Sequence, residues 1–267
     1  MVNDAARFET ITWEKQGEIG LLTLNRPERY NAISYQLMDE VAEVLDSLKY
    51  DTDCRVLVIT GAGKAFCSGT DLKDYKELIG DIHEKIPELY DKQKTLSDLI
   101  VRLRQIPQPV IAAVNGVAAG GGMCFALASD VRVAGPSARF IPSFVNVGLS
   151  GGELGASYFL PRLVGMSRAS ELLLTGREVK AEEAMQIGLV SKLTADGETL
   201  SVALEMANLM VEKSTLGLKL TKEILNTTLE NDLEASLQVE NRSQVLCVLS
   251  GSFEDAIKRF ENRKKQK

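Results

Sequence analysis

Two patterns of hydrophobic residues divide this chain of 267 residues. In the first part, apolar runs rich in Ile, Val and Leu at 19–24, 55–60 and 110–114 have the length and composition of buried strands. Between them, residues 34–48 carry Leu and Val at helical spacing, and Ser34 is a suitable N-cap. Strands that alternate with helices predict an α/β core built of repeated ββα units.

Beyond about residue 195 the strand-like runs stop, and apolar residues recur at helical spacing only. The predicted helices cover residues 199–213, 215–230, 233–249 and 252–264. The sequence therefore predicts two regions, an α/β core over 1–195 and a helical region over 196–267. An apolar stripe in the first of these helices fits either a core or a subunit interface.

The overall charge and hydropathy narrow the class of protein. A net charge of -6 and a pI near 5.1 give no electrostatic reason to bind nucleic acid or an anionic membrane. No apolar run approaches the roughly 18–20 residues of a membrane span, and residues 1–9 lack the apolar core of a signal peptide. We therefore expect a cytoplasmic protein.

The cysteine and histidine content limits metal and redox chemistry. Cys54, Cys67, Cys124 and Cys247 form no paired motif, so free thiols are expected in a reducing compartment. His83 is the single histidine and lies in a charged stretch, which leaves little for a metal site or a Ser-His pair. We expect no metal and no redox cofactor.

Three glycine-containing segments carry the clearest chemical signal. They are residues 63–72, 115–124 and 147–155. The glycine loops can offer bare backbone N–H groups, and Glu153 supplies one carboxylate where the third segment enters a helix. Such a set suits a reaction that builds negative charge on a carbonyl oxygen.

Nucleotide-binding loops do not explain these glycines. Residues 61–64 resemble the end of a phosphate loop, but Val58 stands where its first glycine belongs, and Ala65 replaces the Ser or Thr that binds Mg²⁺. None of the segments has the G-x-G-x-x-G spacing of a Rossmann unit with a downstream acid. Nucleotide hydrolysis is therefore rejected, and dinucleotide binding has little support.

Six phrases that span most of the chain occur in a fixed order. They are residues 24–32, 63–72, 113–116 with 120–122, 129–132, 160–165, and 175–177 with 181–184 and 188–190. In these phrases the chain resembles the crotonase (enoyl-CoA hydratase/isomerase) superfamily. The resemblance implies a spiral α/β core of ββα units, followed by C-terminal helices that build a trimer or a dimer of trimers. The implied ligand is an acyl-CoA thioester, with coenzyme A present only as part of the substrate.

The resemblance also implies a site. The backbone N–H groups of the residues matching Thr70 and Gly121 would bind the thioester oxygen. The residues expected to bind the acyl-CoA around them are Arg29, Lys64, Ala65, Ser68, Gly69, Asp71, Leu72, Gly120, Gly122, Cys124 and Phe144. Arg29 and Lys64 are candidates for the CoA phosphates, and Lys258 or Arg263 of a neighbouring subunit could add positive charge.

The chain departs from the family pattern at its acids. Typical hydratases of the family carry two glutamates, and those positions fall at Cys124 and Phe144. Glu153 instead resembles the extra acid of dienoyl-CoA isomerases. With Glu153 as the sole acid/base, double-bond isomerisation is the expected reaction, because hydration must activate water while carbon-2 is protonated.

Other interpretations stay open at this point. Another crotonase-type enzyme, a hydratase, a thioester hydrolase or a ring-modifying enzyme, could use Glu153 with Ser150, Ser143 or Tyr158. The fold could also serve as a non-catalytic acyl-CoA-binding protein or scaffold. Glu153 could be only a helix-start carboxylate, and Cys124 could be a nucleophile or a small residue of the pocket wall.

Overall fold

The structure is a computed structural model that describes residues 7–73 and 85–265, so His83 lies outside it. Its strands are β1 (Ile11–Gln16), β2 (Ile19–Leu24), β3 (Val56–Gly61), β4 (Ala65–Cys67), β5 (Val110–Val114), β6 (Val117–Ala119), β7 (Val131–Ala134), β8 (Arg139–Ile141), β9 (Val179–Lys180) and β10 (Lys192–Leu193). Its α-helices are α1 (Tyr35–Leu48), α2 (Ile86–Gln105), α3 (Gly121–Ala128), α4 (Ala156–Val164), α5 (Met166–Thr175), α6 (Ala181–Gln186), α7 (Thr199–Val211), α8 (Thr215–Thr228), α9 (Leu233–Leu249) and α10 (Ser252–Lys265).

The chain alternates between two sheets as it advances. One sheet has the order β1-β2-β3-β5-β7-β10, and the other has the order β4-β6-β8-β9. β1 and β2 form an antiparallel hairpin, and the pairings from β2 to β10 are parallel. The pairs β3–β4, β5–β6 and β7–β8 each give one strand to each sheet before the next helix. This path is a spiral of ββα units, and it confirms the predicted fold class.

Helix α1 shows how the local sequence builds the main core. The Ser34 hydroxyl accepts a hydrogen bond from Leu37 N at 3.2 Å, which caps the helix as predicted. Leu37, Val41, Leu45 and Leu48 follow at spacings of three and four residues, and all are buried. Full burial of each such side chain contributes about 1.5–3 kcal/mol relative to exposure.

Strand β3 separates two hydrophobic cores because its side chains alternate between the two faces of the sheet. Leu57 and Ile59 belong to the core of α1, whereas Val58 belongs to a smaller core under α7. Ala203 and Ala207 of α7 are fully buried in that smaller core, and their small size allows close approach to the sheet. The apolar stripe predicted in this helix therefore packs on the chain's own sheet.

An ion pair between a buried lysine and a partly buried aspartate holds helix α8 on the core. Lys222 is 5 % exposed, and its Nζ donates to Gln108 O at 2.8 Å and to Asp130 Oδ2 at 3.0 Å. The same carboxylate accepts hydrogen bonds from Val110 N at 2.8 Å and from Arg104 at 2.9 Å. Burial lowers the pKa of Lys222, and the charge of Asp130 opposes that effect. Asp130 thus joins α8, the end of α2 and the start of β5.

Helices are present at all four predicted positions in the C-terminal region, and they leave apolar side chains exposed. The large ones include Leu225, Leu233, Leu237, Val245, Leu246, Leu249 and Phe253. In the described part of the chain, no helix combines the length and the hydrophobicity needed to cross a bilayer. An exposed apolar surface of this kind suits subunit contacts. The division at residue 195, the oligomeric state and the cytoplasmic location stay predictions.

Replacing Asp130 with Asn should destabilise the protein by about 3 kcal/mol, because it leaves the buried Lys222 charge without its partner. Urea unfolding followed by circular dichroism measures the change. Asp46→Asn is the matched control, since Asp46 pairs with Lys49 and Arg102 at the surface and should matter much less. Equal losses in the two variants would contradict an anchoring role for Asp130.

Candidate active site

A cavity of about 150 Å³ lies where the end of β4, the start of α3 and the segment before α4 meet. Eight of the residues predicted for the site line it: Ser68, Gly69, Thr70, Leu72, Gly120, Gly121, Phe144 and Glu153. Ser143, one of the alternative polar residues, lines it as well. The structure thus brings together one carboxylate and the two glycine segments.

The backbone at Thr70 is turned so that its N–H points away from the neighbouring chain segment. Ile33 pairs with Thr70 in a parallel bridge, in which Ile33 N donates to Gly69 O at 2.8 Å and Asp71 N donates to Ile33 O at 2.9 Å. In such a bridge the flanking residues make the hydrogen bonds, so the N–H of Thr70 itself faces the other side. Thr70 also lines the cavity.

The second backbone donor comes from the first residue of α3. Gly121 begins the helix, where N–H groups have no partner within the helix and carry partial positive charge. Gly120 precedes it with a φ of 49° and a ψ of -121°, a conformation that needs glycine. Gly121 also lines the cavity, and its N–H has no acceptor within α3.

Two close backbone approaches bring the segments that carry Thr70 and Gly121 together. A Cβ on Gly122 would lie 2.1 Å from the carbonyl oxygen of Cys67, and a Cβ on Gly69 would lie 2.8 Å from that of Ala119. A Cβ on Gly69 would also lie 3.3 Å from the nitrogen of Gly121. The absence of side chains at Gly69 and Gly122 is what allows the end of β4 to contact the start of α3.

Glu153 is aimed by an unusual turn just before α4. Leu154 has a φ of 47° and Gly155 a φ of 80°, so two successive residues adopt the left-handed conformation. That conformation costs a non-glycine residue about 1 kcal/mol or more. The burial of Leu154, which is 6 % exposed, offsets this cost. The turn lets Leu154 enter the core while Glu153 faces the cavity.

The surroundings of Glu153 raise the pKa of its carboxyl group. Leu96, Phe144 and Leu149 contribute apolar wall to the same cavity. Burial raises the pKa of the half-buried Glu153 carboxyl, while hydrogen bonds from Gln93 and from the backbone N–H of Leu154 oppose the rise. A carboxylate with a raised pKa is a stronger base, which suits proton transfer.

The resemblance assigns the two hydratase glutamates to positions that hold other side chains in this chain, Cys124 and Phe144. Cys124 is fully buried and does not line the cavity, and its Sγ donates to the carbonyl oxygen of Glu153 at 3.5 Å. Burial raises the pKa of this thiol, and the nearby Glu153 carboxylate raises it further, which disfavours the thiolate that a nucleophile requires. Phe144 lies in the cavity wall, with its ring 3.6 Å from where a Cβ on Gly120 would be.

Several residues predicted to bind acyl-CoA lie outside the cavity wall. Asp71 pairs with Arg26 at 3.0 Å, and the Ala65 carbonyl accepts a hydrogen bond from the Asn31 side chain at 2.8 Å. Lys64 lines a separate depression beside Asn115. The remaining predicted positions that do not line the cavity are Arg29, Gly122 and Cys124, and the alternatives Ser150 and Tyr158 do not line it either.

Of the two C-terminal residues predicted to add positive charge to a neighbouring subunit's site, the structure describes the side chain of Lys258 only. Lys258 forms an exposed ion pair with Glu254 at 2.7 Å within α10. The side chain of Arg263 lies outside the described part of the chain. A role for either residue in a neighbouring subunit's site stays a prediction.

Sequence reasoning missed three polar residues around the site. Arg26 donates to Ala32 O at 2.6 Å, and the Asn31 side chain donates to Ala62 O at 2.9 Å, so both hold the loops beside β4. Arg26 and Asn31 both lie within residues 24–32, a segment that resembles the family, so the sequence contained a signal for them. Gln93 donates to the Glu153 carboxylate from α2, and no motif marked it.

Comparison with known proteins agrees with this geometry. The family model described as enoyl-CoA hydratase/isomerase matches residues 14–267. The chain is 44 % identical over 244 residues to a probable enoyl-CoA hydratase EchA12 of Mycobacterium tuberculosis, covering 90 % of this chain and 85 % of that one. It is 35 % identical over 240 residues to a 1,2-epoxyphenylacetyl-CoA isomerase of Escherichia coli, covering 90 % of each chain.

Solved structures give the same assignment. A probable enoyl-CoA hydratase/isomerase from Mycobacterium abscessus superposes with a TM-score of 0.86 at 40 % identity, over 95 % of this chain and 96 % of that one. A monofunctional enoyl-CoA isomerase from M. smegmatis gives a TM-score of 0.73 at 41 % identity, over 86 % and 98 % of the two chains. The protein is of the class of enzymes that act on acyl-CoA thioesters. It belongs to the enoyl-CoA hydratase/isomerase family of the crotonase superfamily.

Replacing Gly122 with Ala should cost about 3 kcal/mol of stability or prevent folding, because the added Cβ would meet the backbone carbonyl of Cys67 at 2.1 Å. Gly152→Ala is the control, since its Cβ would have no atom nearer than 3.5 Å and its φ is not left-handed. It should stay within about 0.5 kcal/mol of the parent. Thermal unfolding compares the two, and a stable Gly122→Ala protein would show that β4 and α3 can separate freely.

Proposed function

We propose that the protein moves a carbon–carbon double bond along an enoyl-CoA thioester, with Glu153 as the sole acid/base. One observation carries the proposal: among the described residues that line the cavity, Glu153 is the only one with a carboxyl or imidazole group. A reaction that returns the same proton to the substrate needs only one such group.

The proposed reaction has two proton transfers. Glu153 removes a proton from carbon-2 of a 3-enoyl thioester, and the electron pair moves onto the thioester oxygen to form a dienolate. The protonated Glu153 then gives the proton to carbon-4, and the double bond ends between carbons 2 and 3. No water, metal or redox cofactor enters the balance, and coenzyme A takes part only as the carrier of the acyl group.

In this proposal the N–H groups of Thr70 and Gly121 bind the thioester oxygen. Their contribution grows as the oxygen gains negative charge, because the donors are fixed before the reaction and lie in a cavity with apolar walls. Loss of one such donor typically lowers the rate by about 10²–10³-fold. The position of Gly121 at the start of α3 adds to the positive potential.

The surroundings of the cavity support isomerisation over hydration. Addition of water would use a second acid/base group, and the two family positions hold a buried thiol at Cys124 and a ring at Phe144. Two similar proteins bear isomerase names, the 1,2-epoxyphenylacetyl-CoA isomerase and the monofunctional enoyl-CoA isomerase. Other similar proteins bear hydratase names, such as the probable enoyl-CoA hydratase EchA12. Hydration of crotonyl-CoA should therefore be measured beside isomerisation.

We expect Glu153→Gln to lower kcat by at least about 10²-fold with trans-3-hexenoyl-CoA as the probe, because proton transfer loses its base. Binding of butyryl-CoA should stay within a few-fold of the parent protein. The assay, run in D₂O, follows both isomerisation and deuterium at carbon-2. Deuterium incorporation without isomerisation in the parent protein would indicate an enzyme that exchanges protons but does not move the double bond. If the parent protein shows neither incorporation nor isomerisation, a non-catalytic acyl-CoA-binding protein is favoured.

The matched control is Glu234→Gln, which removes a carboxylate from the first turn of α9 that does not line the cavity. It should leave kcat unchanged. If Glu153→Gln behaves in the same way, Glu153 is only a helix-start carboxylate and the proposal fails.

We also propose that α8–α10 join subunits into a trimer or a dimer of trimers. The exposed apolar side chains of these helices support this assembly. Multi-angle light scattering should show a trimeric or hexameric mass. CoA affinity should fall as salt rises, because Arg29, Lys64 and a neighbour's Lys258 would bind its phosphates. A stable, active monomer would end the assembly proposal.

A further inference from the structure

Gln93 reaches the candidate catalytic carboxylate from a distant part of the chain. It lies on α2, lines the same cavity as Glu153, and donates a hydrogen bond from Nε2 to Glu153 Oε1. In the described part of the chain, it is the one side chain recorded as a donor to this carboxylate. The contact is therefore made by tertiary packing between α2 and the turn before α4.

The helix that carries Gln93 is held rigidly. Leu96, Leu99, Ile100 and Leu103 of α2 are all buried in the main core. The backbone carbonyl of Gln93 also accepts a hydrogen bond from Ser97 Oγ at 3.1 Å. An amide presented from such an element has a fixed position, which is what a catalytic carboxylate requires of its supporting residues.

We propose that Gln93 is the positioning residue of the reaction: it binds Oε1 of Glu153 and so leaves Oε2 directed to the substrate carbons. This inference rests on the proposed function, in which Glu153 carries the proton. An amide suits the task because it donates a hydrogen bond without bringing a charge. A hydrogen bond to a carboxylate is stronger than one to the neutral acid, so Gln93 favours the ionised form that starts the cycle.

The direction of the pKa change follows from this contact. Burial raises the pKa of Glu153, and the hydrogen bond from Gln93 lowers it. Loss of the bond should raise the pKa further. As a base, Glu153 must be ionised, so the acidic limb of kcat/KM should then move to higher pH.

Several other titratable groups on the described elements around Gln93 and Glu153 are either buried or paired with partners of their own. Cys124 on α3 stays a neutral thiol because burial raises its pKa. On α2, Lys92 pairs with Glu88 at 2.9 Å. On the β4 side, Asp71 pairs with Arg26 at 3.0 Å, and on α4 the hydroxyl of Tyr158 donates to Glu230 at 3.4 Å. Among the titratable groups in the described part of the chain, Glu153 is therefore the one whose titration a change of Gln93 should report.

The test measures kcat and KM against pH with trans-3-hexenoyl-CoA for the full chain and two variants. Gln93→Met keeps the size of the side chain and removes the donor. It should move the acidic limb upward and lower the plateau of kcat by about 10-fold, with KM within a few-fold. Gln93→Glu adds a like charge and should move the limb further than Gln93→Met. Lys94→Gln, an exposed change on the same helix, should match the parent.

Two results would overturn the inference. One is a pH profile of Gln93→Met that coincides with that of the parent. The other is a change confined to KM, which would make Gln93 a substrate contact. Thermal unfolding of each variant separates these effects from loss of the fold. If Glu153→Gln is inactive while Gln93→Met is unshifted, only this inference fails. If Glu153→Gln stays active, the proposed function fails with it.

Discussion

The close approach of two backbones is the constraint on which the site depends. Gly122 packs directly on the carbonyl of Cys67, and Gly69 packs on that of Ala119. These approaches fix the end of β4 against the first turn of α3. Helix α3 follows β6, which is the neighbour of β4 in the same sheet. The two N–H groups proposed to bind the thioester oxygen are consequently set by the main chain. Side-chain substitution at Thr70 would leave its N–H in place.

A second constraint is electrostatic. Glu153 occupies an apolar cavity that opposes its charge, and two hydrogen bonds partly restore the charged form. The raised pKa matters because general acid–base catalysis is most efficient when the pKa of the catalytic group approaches the operating pH. The buried Cys124 and Phe144 in the cavity wall add no further charge. A single carboxylate in this setting supports a reaction that ends with the same proton on the substrate.

Much of the fold and part of the site could be predicted from the sequence. Strand runs, helical spacing and the Ser34 cap are local patterns, and they gave elements close to those observed. Glu153 stood out because its glycine-rich turn was visible. Gln93 could not be found in this way, since its role comes from the packing of α2 beside a turn 60 residues further along the chain. The side of α3 on which Cys124 lies could not be predicted either, because this helix is apolar and buried on every side.

The Asp130 carboxylate also has a consequence for how the molecule unfolds. It holds the start of a central strand, the end of α2 and the buried lysine of α8 at once. Helix α8 cannot detach without breaking the Lys222–Asp130 ion pair, so its loss and the unfolding of the sheet are thermodynamically linked. Any partner that binds α8–α10 in the folded state would stabilise the distant sheet by mass action. Where that partner is a second copy of the chain, the stability of the candidate site would depend on protein concentration.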